Sequence, residues 1–364
     1  MTASSSQDAS IRGFRDRDYL KTREGWYFAV VGNVHPHDRA IAYLKYVPSK
    51  SGMWGSKSKR YDRVLKHYTM QDLTRTFELL NSCHPEYMFH STVLGLTFSA
   101  VPHTAIRRHL IPERRLTQLL RDGPEDALEK KVVKLARELS AMANIPIESF
   151  GVTGSVLMDT HREFSDIDLV VYGKNQSLSV KKALSSLLDE DKGEIQRMRG
   201  QSLEDFIRER VTSNNLTSQE AIELYKRKWN RGQAFGTCFS VHPVKRENEV
   251  TERYGDRQYA PIGMTEVEAI VRDSSDSMFM PAAYSVDNVR WLSGEKTRDV
   301  REVVSYEGLY ADIAGEGERV RIKGKLEDVV VSGTGRLHQR IVIGSQEALN
   351  TDYLKPALNP DCTA

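Results

Sequence analysis

No apolar run in the sequence approaches the roughly 18 residues that a membrane-spanning helix requires, so no such span is expected. Cysteine is scarce: Cys83, Cys238 and Cys362 are odd in number and widely separated. That spacing argues against a disulfide framework or a thiolate zinc site and toward a reducing, cytoplasmic setting. Met1–Ser10 lacks the apolar centre of a secretory signal and reads as a short disordered leader. An excess of either charge is also missing. The 52 Lys and Arg against 50 Asp and Glu leave a net of +2, which by itself implies no partner. No internal repeat suggests a solenoid. What remains is 364 residues, 39% hydrophobic and 28% charged, the composition of a globular protein of two or three domains.

Three textures follow the leader (1–10). Residues 11–120 open with strand-like runs over Trp26–Val34 and Ala40–Val47, joined by the turn His35-Pro36-His37-Asp38. That turn has metal-ligand residue types, but its proline makes a plain hairpin turn the better account. A helix is expected over Met70–Leu80, with Leu73, Phe77 and Leu80 on one face, then a strand over Thr92–Val101. Residues 121–250 begin with a helix near Pro124, with Leu128, Val132, Leu135 and Leu139 at helical spacing. Strands over Phe150–Thr153, Ile167–Tyr172 and Thr237–Val241 are separated by helical segments near Ser179–Leu188 and Leu203–Arg210. A capping box at Thr217 and Glu220 starts a further helix, which Arg231-Gly232 is expected to close. Residues 251–364 change period to short strands with glycine turns, which predicts a small barrel or sandwich.

Chemistry concentrates in Phe150-Gly151-Val152-Thr153-Gly154-Ser155, then ten residues, then Asp166-Ile167-Asp168-Leu169-Val170-Val171. Glycine at the end of a buried strand lets backbone approach a ligand closely, and the Ser155 hydroxyl suits phosphate oxygens. Asp166 and Asp168 flank Ile167 at a period of two, which turns both carboxylates to one side and Ile167 to the core. Two such charges repel unless a divalent cation neutralises them, and Mg²⁺ suits one or two carboxylates together with substrate phosphates. A plainer account is that Ser155 and Asp166 only cap the intervening loop.

Gly154-Ser155, the ten-residue gap and Ser165-Asp166-Ile167-Asp168-Leu169-Val170 resemble the signature of the polymerase-β-type nucleotidyltransferases. The resemblance implies a mixed sheet covered by helices, a phosphate-binding Gly-Ser and two metal-binding aspartates that activate attack on an α-phosphate. More widely, Arg39–Tyr46, Leu65–Met70 and Phe239–Pro243 are similar to archaeal proteins described as predicted nucleotidyltransferases. The expected architecture is therefore α+β: a central nucleotidyltransferase-fold sheet, an N-terminal α+β unit and a C-terminal small β-barrel or sandwich.

Two departures bear on activity. The superfamily often has Arg-Gly shortly after Gly-Ser, where this sequence has Met158-Asp159. A further carboxylate comes from a later strand in active members, yet here Ser240 and His242 take the alternate positions. His242, Glu247, Glu266 and Glu268 are candidates to complete the site. Lys226, Arg227, Lys228 and Arg231 are candidates to hold a triphosphate, though cations also favour a helix C-terminus. Between Arg39 and Lys66, eight basic residues stand against one acidic residue, with Tyr43, Tyr46, Trp54 and Tyr61 interleaved. Lys57, Lys59, Arg60, Arg63 and Lys66 then suit a single-stranded nucleic acid, and Arg107, Arg108, Arg114 and Arg115 extend the patch.

The leading expectation is transfer of a nucleotide from an NTP to an acceptor hydroxyl with Mg²⁺ or Mn²⁺. The acceptor is open among RNA, DNA, a protein side chain and a small molecule, and the N-terminal basic stretch and C-terminal β-unit favour RNA or tRNA. A non-catalytic nucleotide- or RNA-binding protein on the same fold is the alternative. An antitoxin-like enzyme that modifies a partner protein is a third, against which the extra domains argue.

Overall fold

The computed structural model describes residues 12–56, 59–65, 70–190, 193–214, 216–297, 299–348 and 351–357; the predicted leader lies outside them. The N-terminal unit holds β1 (Tyr19–Thr22), β2 (Tyr27–Val30), β3 (Arg39–Pro48), β4 (Trp54–Ser56), β5 (Lys59–Arg63), α1 (Met70–Cys83), β6 (Met88–Ser91), β7 (Leu96–Pro102) and β8 (Ile106–Leu110). The strands run in the order β4-β5-β3-β2-β1-β8, with β7 also paired to β3 and β6 to β7. The predicted hairpin is β2 against β3, with Phe28 opposite Leu44. Alternation along β3 buries Ala40, Ala42 and Leu44, and α1 buries the predicted face of Leu73, Phe77 and Leu80.

The middle unit comprises α2 (Pro112–Asp122), α3 (Ala127–Ala143), β9 (Phe150–Val152), α4 (Gly154–Leu157), β10 (Ile167–Tyr172), α5 (Lys174–Glu190), β11 (Ile195–Gln196), α6 (Gly200–Asn214), α7 (Ser218–Lys226), β12 (Arg231–Ala234) and β13 (Thr237–Val244). Its sheet order is β11-β12-β13-β10-β9, with β10 antiparallel to β9 and parallel to β13. Leu128, Val132, Leu135 and Leu139 of α3 pack with Val152, Ile167, Leu169 and Val241 in one core. Helix α3 starts at Asp126, whose side chain accepts from Glu129 N. The helix α2 was not read from the sequence, although Pro112 sits in its first turn, where proline is tolerated.

Helix α7 has both hydrogen bonds of the expected capping box. It ends at Lys226, however, and Arg231-Gly232 opens β12 instead of closing the helix. Gly232 serves sheet packing: a Cβ there would overlap the Gln196 carbonyl and the Phe239 ring.

The C-terminal unit contains β14 (Arg257–Asp273), β15 (Ala282–Gly294), β16 (Val300–Ser305), β17 (Arg319–Val331), β18 (Arg336–Ile343) and β19 (Tyr353–Pro356). The long β14 pairs with both β15 and β17, so β14-β15-β16-β18-β17 closes into a barrel, with β19 added to β17. Counted within the ring, the order is first-second-third-fifth-fourth, the arrangement of an OB-type barrel. From sequence, strands are expected over Arg319–Leu326 and Asp328–Val331, which leaves Glu327 as the break between them. One continuous strand forms because Glu327 is buried between Lys325 and Arg340 as an ion pair with both.

Helices α6 and α7 join the middle unit to the barrel. Phe206, Leu224 and Tyr225 share a core with Val267, Ile322 and Ile341. At this junction Glu307 is buried and accepts from Asn214 Nδ2 at 2.6 Å. Burial, with Asp352 adding repulsion, pushes the Glu307 carboxyl from 4.5 up to about 8. A carboxyl raised in the folded state favours folding while protonated, so this contribution fades as pH rises from about 4.5 through 8. Glu307→Gln keeps an acceptor for Asn214 without the charge. Thermal unfolding between pH 6 and 9 should show the parent losing several degrees of Tm relative to Glu307→Gln; parallel profiles would contradict the burial argument.

Candidate active site

The turn between β9 and α4 is made possible by glycine. Gly154 has φ of 65°, and a Cβ there would overlap Asp168 Oδ2. Thr153 N donates to the Asp168 carbonyl at 2.9 Å, which ties the turn to β10. The Thr153 hydroxyl donates to the Arg17 carbonyl at 2.7 Å, which ties it to the N-terminal unit. Past the turn, Gly55 N donates to the Thr160 carbonyl at 2.8 Å and Arg162 donates to the Gly55 carbonyl at 3.1 Å. The β4–β5 hairpin is therefore docked on the loop that leads to Asp166. Leu157 and Met158 fill a cluster with Tyr19, Tyr27, Tyr46 and Tyr61 of the N-terminal sheet. Met158 packs there as an apolar anchor, where the superfamily often has arginine.

Asp166 precedes β10 and is exposed, while Asp168 lies within the strand and is half-buried. Asp168, Ser240 and Arg231 are register partners across β10, β13 and β12, so all three side chains rise from one face of the sheet. Ser240 Oγ donates to Asp168 Oδ1 at 2.5 Å and lies 2.8 Å from His242 Nε2. The serine has one proton, spent on the carboxylate, so the imidazole Nε2 carries a hydrogen and donates to Ser240. His242 Nε2 is 3.8 Å from Asp168 Oδ1, too far for a direct hydrogen bond.

Burial pushes His242 down to about 3, and the charges of Arg17 and Arg231 add to this against the pull of Asp168. The ring is therefore neutral at pH 7. For Asp168, burial acts upward, but polar contact with His242 and Ser240 and the charge of Lys45 outweigh it, leaving the group below the usual carboxylate range. Asp166 moves the other way. Although its side chain reaches solvent, partial desolvation by the surrounding protein and the Asp168 charge raise it to about 6, against the pull of Arg231 and Arg63. The two carboxylates thus repel across a cradle that Gly154 leaves open, and this oxygen donor set fits a divalent ion such as Mg²⁺. Arg231 is itself lowered by burial and by Arg210 and Arg17, against Asp168 and Glu209. Cations from two units therefore converge on the aspartates.

Residues 132–225 match the family described as Nucleotidyltransferase domain. The chain carries a nucleotidyltransferase domain. The match ends before β12 and β13, although those strands supply Arg231, Ser240 and His242. A curated relative, an uncharacterised protein of Methanocaldococcus jannaschii, is 29% identical over 344 residues, spanning 94% of this chain and 98% of its own. No solved structure matches the chain.

Around this domain the remaining candidates fall in different places. Gly154, Ser155, Asp166, Asp168, Arg231 and His242 come together. Lys226 pairs with Glu223, and Arg227 pairs with Glu318 of the barrel. Lys228 is buried and donates to the Gly308 and Ala311 carbonyls, so it anchors the barrel. Glu247 pairs with Arg15, Glu266 with Arg321, and Glu268 with Arg290. Lys59 and Arg60 are exposed on β5, and Arg63 donates to the Leu65 carbonyl while its charge reaches Asp166. Lys57 and Lys66 lie outside the described residues.

Sequence reasoning missed Arg17, Lys45, Arg210 and Glu209. Lys45 reaches Asp168, and Arg17 reaches His242 and Arg231, only through the docking of the N-terminal sheet, which no local pattern announces. Among the described residues, Asp126, Glu129 and His161 bring candidate ligand atoms within 4.8 Å of one another. Their carboxylates already serve the α3 N-terminus, Arg115 and His161.

Gly154→Ala tests the cradle. It introduces both left-handed strain and overlap with Asp168, whereas Gly236→Ala, at φ 75° with open space, introduces strain alone. Thermal unfolding should show the larger loss for Gly154→Ala, with Mn²⁺-dependent NTP binding lost only there; equal behaviour would contradict the cradle.

Proposed function

We propose that the protein transfers a nucleoside monophosphate from an NTP to an acceptor hydroxyl on RNA, in the cytoplasm. The observation behind this reading is the Asp168 carboxylate against the Gly154 backbone, with the Asp166 charge acting beside it amid cations. In this reading Asp166 and Asp168 hold the divalent ion, Mg²⁺ or Mn²⁺, which would neutralise the triphosphate and lower the pKa of the attacking hydroxyl. Gly154 and Ser155 bind phosphate oxygens, and Arg231 and Arg17 balance the charge of the leaving pyrophosphate. Ser240 fixes the Asp168 rotamer, and His242 fixes Ser240. Glu209 of α6 is our candidate for the third acid, because its charge acts on both Asp166 and Arg231. It now pairs with Arg210 at 2.7 Å and, among the described residues, does not join both aspartates in a cluster with ligand atoms within 4.8 Å of one another, so it would have to turn toward them.

The surface beside the aspartates favours a nucleic acid acceptor. Phe164 is 59% exposed on the loop before Asp166 and meets Trp54 edge to face at 5.4 Å. Met53 is exposed beside Trp54 in the chain, and Lys59 and Arg60 follow on β5. Aromatic faces with nearby cations suit stacked, single-stranded bases. The OB-type order of the barrel agrees with that reading by analogy of fold.

A second reading, a nucleotide- or RNA-binding protein without turnover, draws on Ser240 and His242 standing on β13 where active members carry an acid. Label transfer separates the two. With each α-labelled NTP, Mg²⁺ or Mn²⁺ and total cellular RNA, the parent should label RNA. Asp166→Ala/Asp168→Ala should reduce this at least a thousandfold, and Phe164→Ala should reduce it several-fold. No label in RNA from any NTP, with RNA binding intact in the double variant, would favour the binding protein.

A further inference from the structure

A cavity of about 500 Å³ lies where the N-terminal sheet, the end of β13 and the barrel meet. Its volume is that of a small-molecule site. The wall includes Pro243 and Val244 at the end of β13 and Lys245 just after it, three to five residues beyond Ser240. That separation is about 10–16 Å of chain, so the cavity is set off from the aspartate pair although Pro243 adjoins His242.

Its chemistry is unusual for interior space. Leu73, Phe77, Phe98 and Phe279 give buried apolar faces. Among them Ser345 Oγ is buried with no hydrogen-bond partner among the described residues, and the half-buried Tyr43 and Tyr306 stand on the same wall. Ser345 is 6% exposed, and leaving a buried hydroxyl unpaired costs roughly 1–3 kcal/mol. Ligand groups that pair such hydroxyls remove that penalty.

Charge excludes an anion. Seven carboxylates line the wall against four cations, Lys245, Arg257, Lys325 and Arg340. Each cation is already held: Lys245 by Asp276 at 2.9 Å, Arg257 by Glu302 at 3.0 Å, and Lys325 and Arg340 by Glu327 at 2.8 and 2.9 Å. No cation among these is left for a phosphate. The remaining demand is for an uncharged molecule with flat apolar faces and several hydrogen-bonding groups.

We propose that this cavity binds a neutral nucleoside, with its base against the aromatic wall and its polar edge on Tyr43, Tyr306 and Ser345. The site is independent of the catalytic reading, because it uses none of the aspartate-site residues. One wall residue, Asp16, also holds Arg17 Nε at 3.1 Å, and the Arg17 carbonyl holds Thr153 at the Gly154 turn. Occupancy is thereby placed two contacts from that turn.

Equilibrium dialysis of the full chain against adenosine, guanosine, cytidine, uridine and their 5′-monophosphates tests the proposal. At least one nucleoside should bind once per chain, with its monophosphate at least tenfold weaker. Tyr43→Phe/Ser345→Ala should weaken binding roughly tenfold, as expected for two lost hydrogen bonds. Asp166→Ala/Asp168→Ala should leave it unchanged. If the first double variant fails to fold by circular dichroism, Tyr306→Phe replaces it with a severalfold loss expected. Saturation by none of the nucleosides, equal affinity for a monophosphate, or loss of binding in the aspartate variant would overturn the proposal.

Discussion

Asp168 can occupy its place only because residue 154 has no side chain. The Gly154 backbone lies where any Cβ would overlap the Asp168 carboxylate. That close approach sets the direction of the turn after β9, the position of Ser155 and the spacing of the loop that returns to Asp166. It also leaves two like charges at a period of two beside an open cradle. The rise of Asp166 expresses that conflict, while His242, Ser240 and Lys45 hold Asp168 below the usual range.

The cradle is not built by the middle sheet alone. The N-terminal unit grips the Gly154–Asp166 segment at its start and at its midpoint, through Arg17 at Thr153 and Gly55 at Thr160. The tyrosine cluster around Leu157 and Met158 fastens the stretch between those two points. From the other side, Lys228 and the α6–α7 face hold the barrel against the unit that supplies Arg231. A charged site of this kind needs rigid support, because misplacing one carboxylate by an ångström removes its advantage.

Much of this was legible in the sequence where the signal is local. The 3.6-residue period of α3, the capping box of α7 and the alternation of β3 each depend on neighbours in the chain. The Gly-Ser and Asp-x-Asp pair was legible because each motif sits on an apolar strand, and strands bury such runs. What was not legible depends on long-range packing. Arg17 and Lys45 carry no mark of the site they face, and Glu327 reads as a strand break until Lys325 and Arg340 are placed beside it. Lys226, Arg227 and Lys228 looked like phosphate ligands because cations ending a helix are ambiguous in sequence; their partners lie at Glu223 and in the barrel.

The account rests on Asp166 and Asp168 holding a divalent ion against a triphosphate seated on Gly154 and Ser155. A crystal structure of the chain with Mn²⁺ and a non-hydrolysable NTP analogue, with the ion placed by anomalous scattering, addresses this directly. The account predicts at least one ion bridging Asp166, Asp168 and the phosphates, with the β- and γ-phosphates on Gly154–Ser155 and Arg231 turned toward them. An analogue bound elsewhere, or bound at the cradle with no ion on either aspartate, would contradict it.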